Sequence, residues 1–449
     1  MQSKSPQPLK TPDPIATGVH GLKRLILLAL PAHQRTPLRH QRQHMSLKPA
    51  VAFVLASVFL DALGIGIIIP VLPRLVGTLT ETPDLQTIWY GAIMVSYGLM
   101  QFFSAPVIGA ISDRIGRRPV LLAGIAGLGI MMFAPALCDS LWLILFSRIL
   151  AGTMSSNIVV AQAYIADVTP AGQRTAAFGR IGAIFGIAFI LGPALGGLLG
   201  ENNPRLPFYV AGSICVLNFL YGLFVLPESL TTPSRSPITL TRINPFSALA
   251  ALSKERLVLP LLFVVMLYTL SQSLMQCTWA LYTEFRYGWT PAAIGFSIFA
   301  LGCSITVVQG YLLSRLTNRF STRRLVLGGL ACGIISFLCI GFSPIAFPAA
   351  IAVCAVALMG IVGPILQGVI SRTGSPYTQG VRLGAMSSIN SFTGAISPLI
   401  GTPLLFFTSS FEPDSLAAGT PFFLCALIVA VALILSLRFP LPEETHRYS

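Results

Sequence analysis

Long apolar runs alternate with short polar breaks through most of the chain. Twelve such runs fall near 50–76, 87–111, 119–138, 141–166, 176–199, 207–226, 257–280, 292–315, 325–343, 347–370, 384–407 and 420–438. A helix rises 1.5 Å per residue, so each run is long enough to cross the ~30 Å hydrocarbon core of a bilayer. The pattern predicts an all-α membrane protein with twelve spanning helices. The longest break between runs, 227–256, is rich in Pro, Ser, Thr and basic residues and divides the runs six and six, as a linker between two bundles would. The expected organisation is a tail over 1–48, a six-helix bundle over 49–226, the linker 227–256, a second six-helix bundle over 257–438 and a tail over 439–449. The first tail is basic, and its one apolar piece, Leu25–Ala32, is too short to span. It reads as a disordered arm, or as an over-extended start with Met45 as the first residue.

Composition narrows the class. With 54% hydrophobic and 10% charged residues, the chain has too few polar groups to cover a soluble protein. The net charge of +14 resides in the short breaks and the first tail, without a basic face interleaved with aromatics. That argues for a lipid bilayer as the partner and against nucleic acid. The eight cysteines lie in or beside apolar runs with no CxxC pair, and all five histidines are in the tails. Neither residue type offers a metal or cofactor site, so none is expected. There is no nucleotide-binding loop of the G-x-x-x-x-G-K-[ST] type and no nucleophile and base pair, which argues against an enzyme. Uphill movement of any solute would then have to be coupled to an ion.

Basic residues set the orientation. One set of alternate breaks carries Arg114, Arg117, Arg118, Arg174, Arg180, Arg235, Arg242, Lys254, Arg256, Arg315, Arg319, Arg323, Arg324, Arg372 and Arg382; the other carries Arg74, Arg205 and Arg286. Fifteen against three predicts both termini in the cytoplasm. The halves also repeat. Asp113-Arg114 is echoed by Asn318-Arg319, and Gly192-Pro193 and Gly196 by Ser397-Pro398 and Gly401, at a constant offset of 205 residues. Parallel repeats of this kind place a substrate site between the halves near the midplane.

Sorted by depth, the fifteen carboxylates leave only Asp61 far inside a run, the others being assigned to tails, loops or helix ends. A lone carboxylate there costs several kcal/mol unless paired or protonated, so it should point into the bundle or a wet cavity. Arg148 is the one arginine at comparable depth. The two are expected to interact, either as a fixed ion pair joining the first and fourth spans or as a site where Asp61 takes up and releases a proton.

The break from Gly109 to Leu122 reads Gly-Ala-Ile-Ser-Asp-Arg-Ile-Gly-Arg-Arg-Pro-Val-Leu-Leu. It resembles the signature loop between helices 2 and 3 of the major facilitator transporters. Gly109, Asp113, Arg114, Gly116, Arg117 and Arg118 are expected to form a cytoplasmic gate, with Asp113 bonding to the positive N-terminus of the eleventh span or to a neighbouring arginine. The fifth run holds Gly186, Gly192, Pro193, Gly196 and Gly197, which resembles the antiporter motif of the exporters of that superfamily and also suits close helix packing. Together with Leu60 to Gly66, Pro70 to Pro73, Arg148 to Gly152 and Ala163 to Asp167, these motifs make residues 46–440 similar to the bacterial tetracycline/proton antiporters.

The resemblance implies proton coupling through Asp61 and Arg148, export of a drug-like small molecule by alternating access, residence in the bacterial inner membrane and a monomer. It also implies that Gln101 and Gln309 line a central cavity, to which Asn157, Gln162, Gln272, Gln276, Gln367, Asn390, Tyr97, Trp279 and Phe392 are added as polar and aromatic candidates for a neutral or cationic amphipathic ligand. Interhelical hydrogen bonding is the other use of such amides. The family's exporters also carry an Asp in helix 3, a His in helix 8 and an Asp in helix 9; the matching positions here are read as Ile130, Ile305 and Cys332. Competing expectations are a facilitator or importer on the same fold, and a membrane receptor without transport.

Overall fold

The structure is a computed structural model that describes residues 51–155, 157–170, 174–230, 244, 258–372 and 379–438. The tails 1–48 and 439–449 and nearly all of the linker 227–256 lie outside the described residues. Among the described residues twelve helices are long and apolar enough to cross a membrane: α1 Val51–Ile68, α2 Pro83–Ile115, α3 Arg117–Leu137, α4 Leu141–Val168, α5 Ala177–Gly200, α6 Leu206–Val225, α7 Leu259–Tyr287, α8 Pro291–Arg319, α9 Thr322–Phe342, α10 Ala346–Ile370, α11 Ala385–Ser409 and α12 Leu416–Arg438. No strand occurs among the described residues.

The helix ends depart from the hydropathy reading for local reasons. Residues 69–71 form a turn around Pro70, and a separate short helix, Leu72–Gly77, follows with Pro73 in its first turn, so the first run does not span as one helix to 76. Helix α2 begins at Pro83, where the Thr82 hydroxyl accepts a bond from the Leu85 amide at 3.3 Å, and so takes in the polar Asp84 and Gln86. Helix α7 runs to Tyr287 and is stopped by Gly288 in the left-handed conformation, φ 63°. Glu284 and Arg286, read as loop residues, are therefore helical. Arg286 is also buried, its Nε donating to the Ser343 carbonyl at 3.1 Å. A capped polar turn extends a helix beyond its apolar run, which a hydropathy window does not register.

The duplication is visible in the packing. The halves meet through α2 with α11 and α5 with α8, and each pair becomes the other when the first six helices are exchanged for the second six. Gly196 of α5 packs on the Ile67 backbone of α1, while Gly401 of α11 packs on Thr278 of α7. These glycines are 205 residues apart, and each lies against the first helix of its own half.

Contacts between the halves cluster at the end that carries the arginine-poor connections. The Tyr90 hydroxyl of α2 donates to the Cys277 carbonyl of α7 at 2.9 Å. Ser409 of α11 donates to Asp84 of α2 at 3.1 Å. Glu201, just after α5, accepts from the Ala292 amide in the first turn of α8 at 2.9 Å. Toward the arginine-rich end, Gly179, Gly182 and Gly186 of α5 and Gly310 of α8 have nothing within 4 Å of the place a Cβ would take.

Candidate functional site

Asp61 is the eleventh residue of α1, about 15 Å along the helix. Its Oδ1 is enclosed and has no hydrogen-bond partner. Beside it is the amide of Asn157, which is 2% exposed and interacts with the Asp61 carboxyl, although neither amide atom has a partner in full hydrogen-bond geometry. Asn157 belongs to the fourth span, α4, thirteen residues beyond Ile144 and on the same helix as Arg148. It is seated on Gly124 of α3, where a Cβ would overlap its amide.

Arg148 is 4% exposed. It is not among the ion pairs of the described residues, and the expected direct Asp61–Arg148 bridge is absent. Its guanidinium turns to α3 and α6, with Nη2 at 3.7 Å from the Met132 sulfur and the cation 5.5 Å from the centre of the Phe208 ring. An aromatic face attracts the cation and takes the place of a carboxylate. Tyr97 of α2 interacts electrostatically with both Arg148 and Asp61, and its buried hydroxyl lies beside Ser155 of α4. Depth alone predicted a pair; packing turns the guanidinium to Met132 and Phe208 instead.

The arginine-rich break between α2 and α3 is an ordered network. Arg117 is 8% exposed and bridges Asp113 at 2.5 Å and Asp167, at the end of α4, at 3.1 Å. Its Nη1 also donates to the Ser112 hydroxyl at 2.7 Å. Asp113 thus takes the neighbouring arginine as partner. Gly116 has φ 117° and ψ 155°, a conformation that side chains rarely adopt. The residue that sequence reasoning missed is Glu228. Its two oxygens accept from the Arg117 and Arg118 amides at 2.8 and 3.2 Å, capping α3 from the chain that leaves α6. Ser229 donates to Asp167 at 3.1 Å, and Tyr164 to the Pro227 carbonyl at 3.0 Å. A carboxylate following Leu226-Pro227 at the end of a span was the available signal. Gly109 faces Val159 of α4 and Arg114 is exposed.

The glycines of α5 divide by position. Gly192 and Pro193 meet Gly66 of α1, Gly196 meets Ile67, and Gly197 meets the backbone of Pro291 and Ala292 at the start of α8. The carbonyl of Pro193 faces Gly295 of α8. Gly186 is apart from this cluster, with open space beside it.

Among the expected cavity residues, Trp279 belongs to the packed core instead: it is 2% exposed, donates from Nε1 to Ser297 at 2.8 Å and meets Phe422 edge to face. Asn157 is enclosed beside Asp61 rather than on an open wall. Gln309 is on a π-helical stretch, Val308–Leu312, and donates to the Gly360 carbonyl within the 3-10 stretch Val356–Ile361 of α10 at 3.0 Å. Irregular turns of this kind recur at functional sites. Gln276, Gln367 and Asn390 are exposed, Gln101 is half-buried, and Phe392 packs against Phe102 of α2 with ring centres 5.9 Å apart. In α3, Ile130 is 58% exposed and turned away from the bundle, whereas Met132 is buried. No carboxylate occurs anywhere in α3. Ile305 packs against the core and Cys332 is half-buried.

A duplicated twelve-helix membrane protein, with two halves joined at one end and an enclosed carboxyl at mid-depth, is the class that this fold and site define. Residues 54–398 match the Major Facilitator Superfamily, and the chain belongs to that family. It is 34% identical to the class C tetracycline resistance protein of Escherichia coli over 364 residues, covering 80% of this chain and 91% of that one. The class D tetracycline resistance protein of Salmonella ordonez is also 34% identical, over 88% of this chain and 98% of its own. Among solved structures, the human organic anion transporter MFSD10 (TETRAN) superimposes with a TM-score of 0.64 at 22% identity, over 87% of this chain and 99% of that one.

Proposed function

We propose that the chain is a proton-coupled exporter of drug-like small molecules that works by alternating access. The observation that carries this reading is the 34% identity to tetracycline resistance proteins over nearly their whole length, joined to one enclosed carboxyl at mid-span. Asp61 is the proton carrier, and Arg148 acts on it through Tyr97. Gly109, Asp113, Arg114, Gly116, Arg117 and Arg118 form the cytoplasmic gate, extended by Asp167 and Glu228. Gly192, Pro193, Gly196 and Gly197 are the hinge surface of the closed end, and Gly186 a surface that closes in the opposite state. Gln101, Gln309, Gln367 and Asn390 line the substrate path. The two bundles are 49–226 and 257–438, joined by a cytoplasmic linker over 227–256.

On this reading the chain is a monomer in the bacterial inner membrane with both termini in the cytoplasm, as the fifteen-to-three arginine and lysine bias supports. The conformation then opens its central space to the cytoplasm, since the named contacts between halves lie at the opposite end. With no acidic residue in α3 and Ile305 in α8, the pocket holds no charge to clamp a metal chelate at those positions. An amide-lined pocket suits neutral or cationic amphipathic molecules. The test is efflux from expressing cells of tetracycline and of unrelated amphipathic cations, with and without a protonophore. Efflux that stops on collapse of the proton gradient supports the reading; flux indifferent to it is that of a facilitator and overturns the coupling.

A further inference from the structure

Asp61 interacts with the side chain of Asn157 from α4 and electrostatically with Tyr97 from α2 and Cys215 from α6, and Tyr97 also interacts with Arg148. Helix α5 meets α1 nearby through Gly192, Pro193 and Gly196, none of which titrates, and α3 presents Gly124 to Asn157.

In this group Asn157 is the unusual member. It is 2% exposed and interacts with the Asp61 carboxyl, yet neither end of its amide, nor Asp61 Oδ1, has a partner in full hydrogen-bond geometry. An enclosed polar group left unpaired costs about 1–3 kcal/mol, and native interiors pair nearly all of them. A carboxylic acid needs an acceptor for its O–H, whereas a carboxylate needs donors. An amide carries an acceptor on one atom and donors on the other. A half-turn about the terminal bond of Asn157 exchanges them without changing the volume the amide fills against Gly124.

We propose that Asn157 is the positioning residue of the proton site, bonding to the protonated Asp61 carboxyl through its oxygen and to the ionised carboxylate through its nitrogen. The proton arrives from water, rests on Asp61 and leaves to water; Asn157 neither gains nor loses one. In this way a single mid-membrane carboxyl is held in both charge states without a direct arginine partner. The inference rests on the proton-coupled reading above, so its test includes a signal independent of transport.

The experiment uses the full chain in liposomes and the isosteric pair Asn157→Thr and Asn157→Val. Thr keeps a group that donates and accepts; Val keeps only its shape. Acid-minus-neutral infrared difference spectra report the carbonyl band of protonated Asp61, identified by its loss in Asp61→Asn. In Asn157→Val the band is expected at higher frequency than in the wild type, with Asn157→Thr close to the wild type. Bonds to a charged group are stronger than bonds to a neutral one, so the Val variant should also protonate about one pH unit further toward alkaline. Should Asn157→Val fail to fold, Gly124→Ala crowds the amide and is expected to displace the same band. A band and midpoint unchanged in Asn157→Val, or in Gly124→Ala where that variant is used, overturn the proposal. A displaced band in a protein that moves no protons with substrate retains this role of Asn157 and refutes the exporter reading instead.

Discussion

A carboxyl enclosed near the middle of a bilayer-spanning helix is costly in its charged form, and the neighbours it is given decide what it does. Asp61 interacts with the amide of Asn157 and electrostatically with the Tyr97 phenol and the Cys215 thiol, with Arg148 turned toward Met132 and Phe208. Replacement of Asp61 by Asn should leave a folded protein and abolish proton movement with substrate; undiminished coupled transport in that variant would remove Asp61 from the mechanism. Gly116 gives a second prediction. Its φ of 117° and the Glu228 oxygen occupying the place of a Cβ make Gly116→Ala destabilising by about 1–3 kcal/mol, measurable as a lowered unfolding temperature in detergent. The depth of Asp61 and Arg148 was legible from position in the apolar runs. Their failure to pair was not, because a sequence states how far along a helix a residue falls and leaves its direction to packing. Trp279 was misread for the same reason: a tryptophan near amides on one span suited a pocket, and the Phe422 ring that helps bury it comes from a distant segment.

At the scale of elements, α5 is wedged between α1 and α8, with backbone against backbone at Gly192, Gly196 and Gly197. Gly197→Val should force the start of α8 away, since the atoms it meets are main chain and cannot swing aside. The expected result is transport reduced at least tenfold and increased labelling of a cysteine placed near Thr290, with expression retained; unchanged labelling would contradict the close packing. The N-terminus of α3 offers a milder case. Glu228→Ala removes the acceptor of two main-chain amides and should cost about 1–3 kcal/mol. The existence of twelve spans and the glycine cluster could be read directly from the chain. Glu228 could not be matched to α3, because 111 residues separate it from Arg117 and only the fold brings them together.

For the whole molecule, duplication explains how one end closes while the other opens. The exchange of α2 with α8 and of α5 with α11 means that each crossing contact has a counterpart in the other half, so two arrangements of the same surfaces are available. Tyr90, Asp84 and Glu201 tie the arginine-poor end, and the glycines with open space on α5 and α8 mark where the arginine-rich end has room to close. The repeat offset of 205 residues foretold this symmetry, whereas the state of closure depends on contacts that no motif encodes. The central claim is that substrate and protons cross in exchange. It is tested by proteoliposomes containing a pH-sensitive dye, to which tetracyclines and unrelated amphipathic cations are added in turn, with Asp61→Asn alongside. The account predicts a pH change on addition of at least one compound in the wild type and none in the variant; substrate flux with no pH change, or the same change in both proteins, would contradict it.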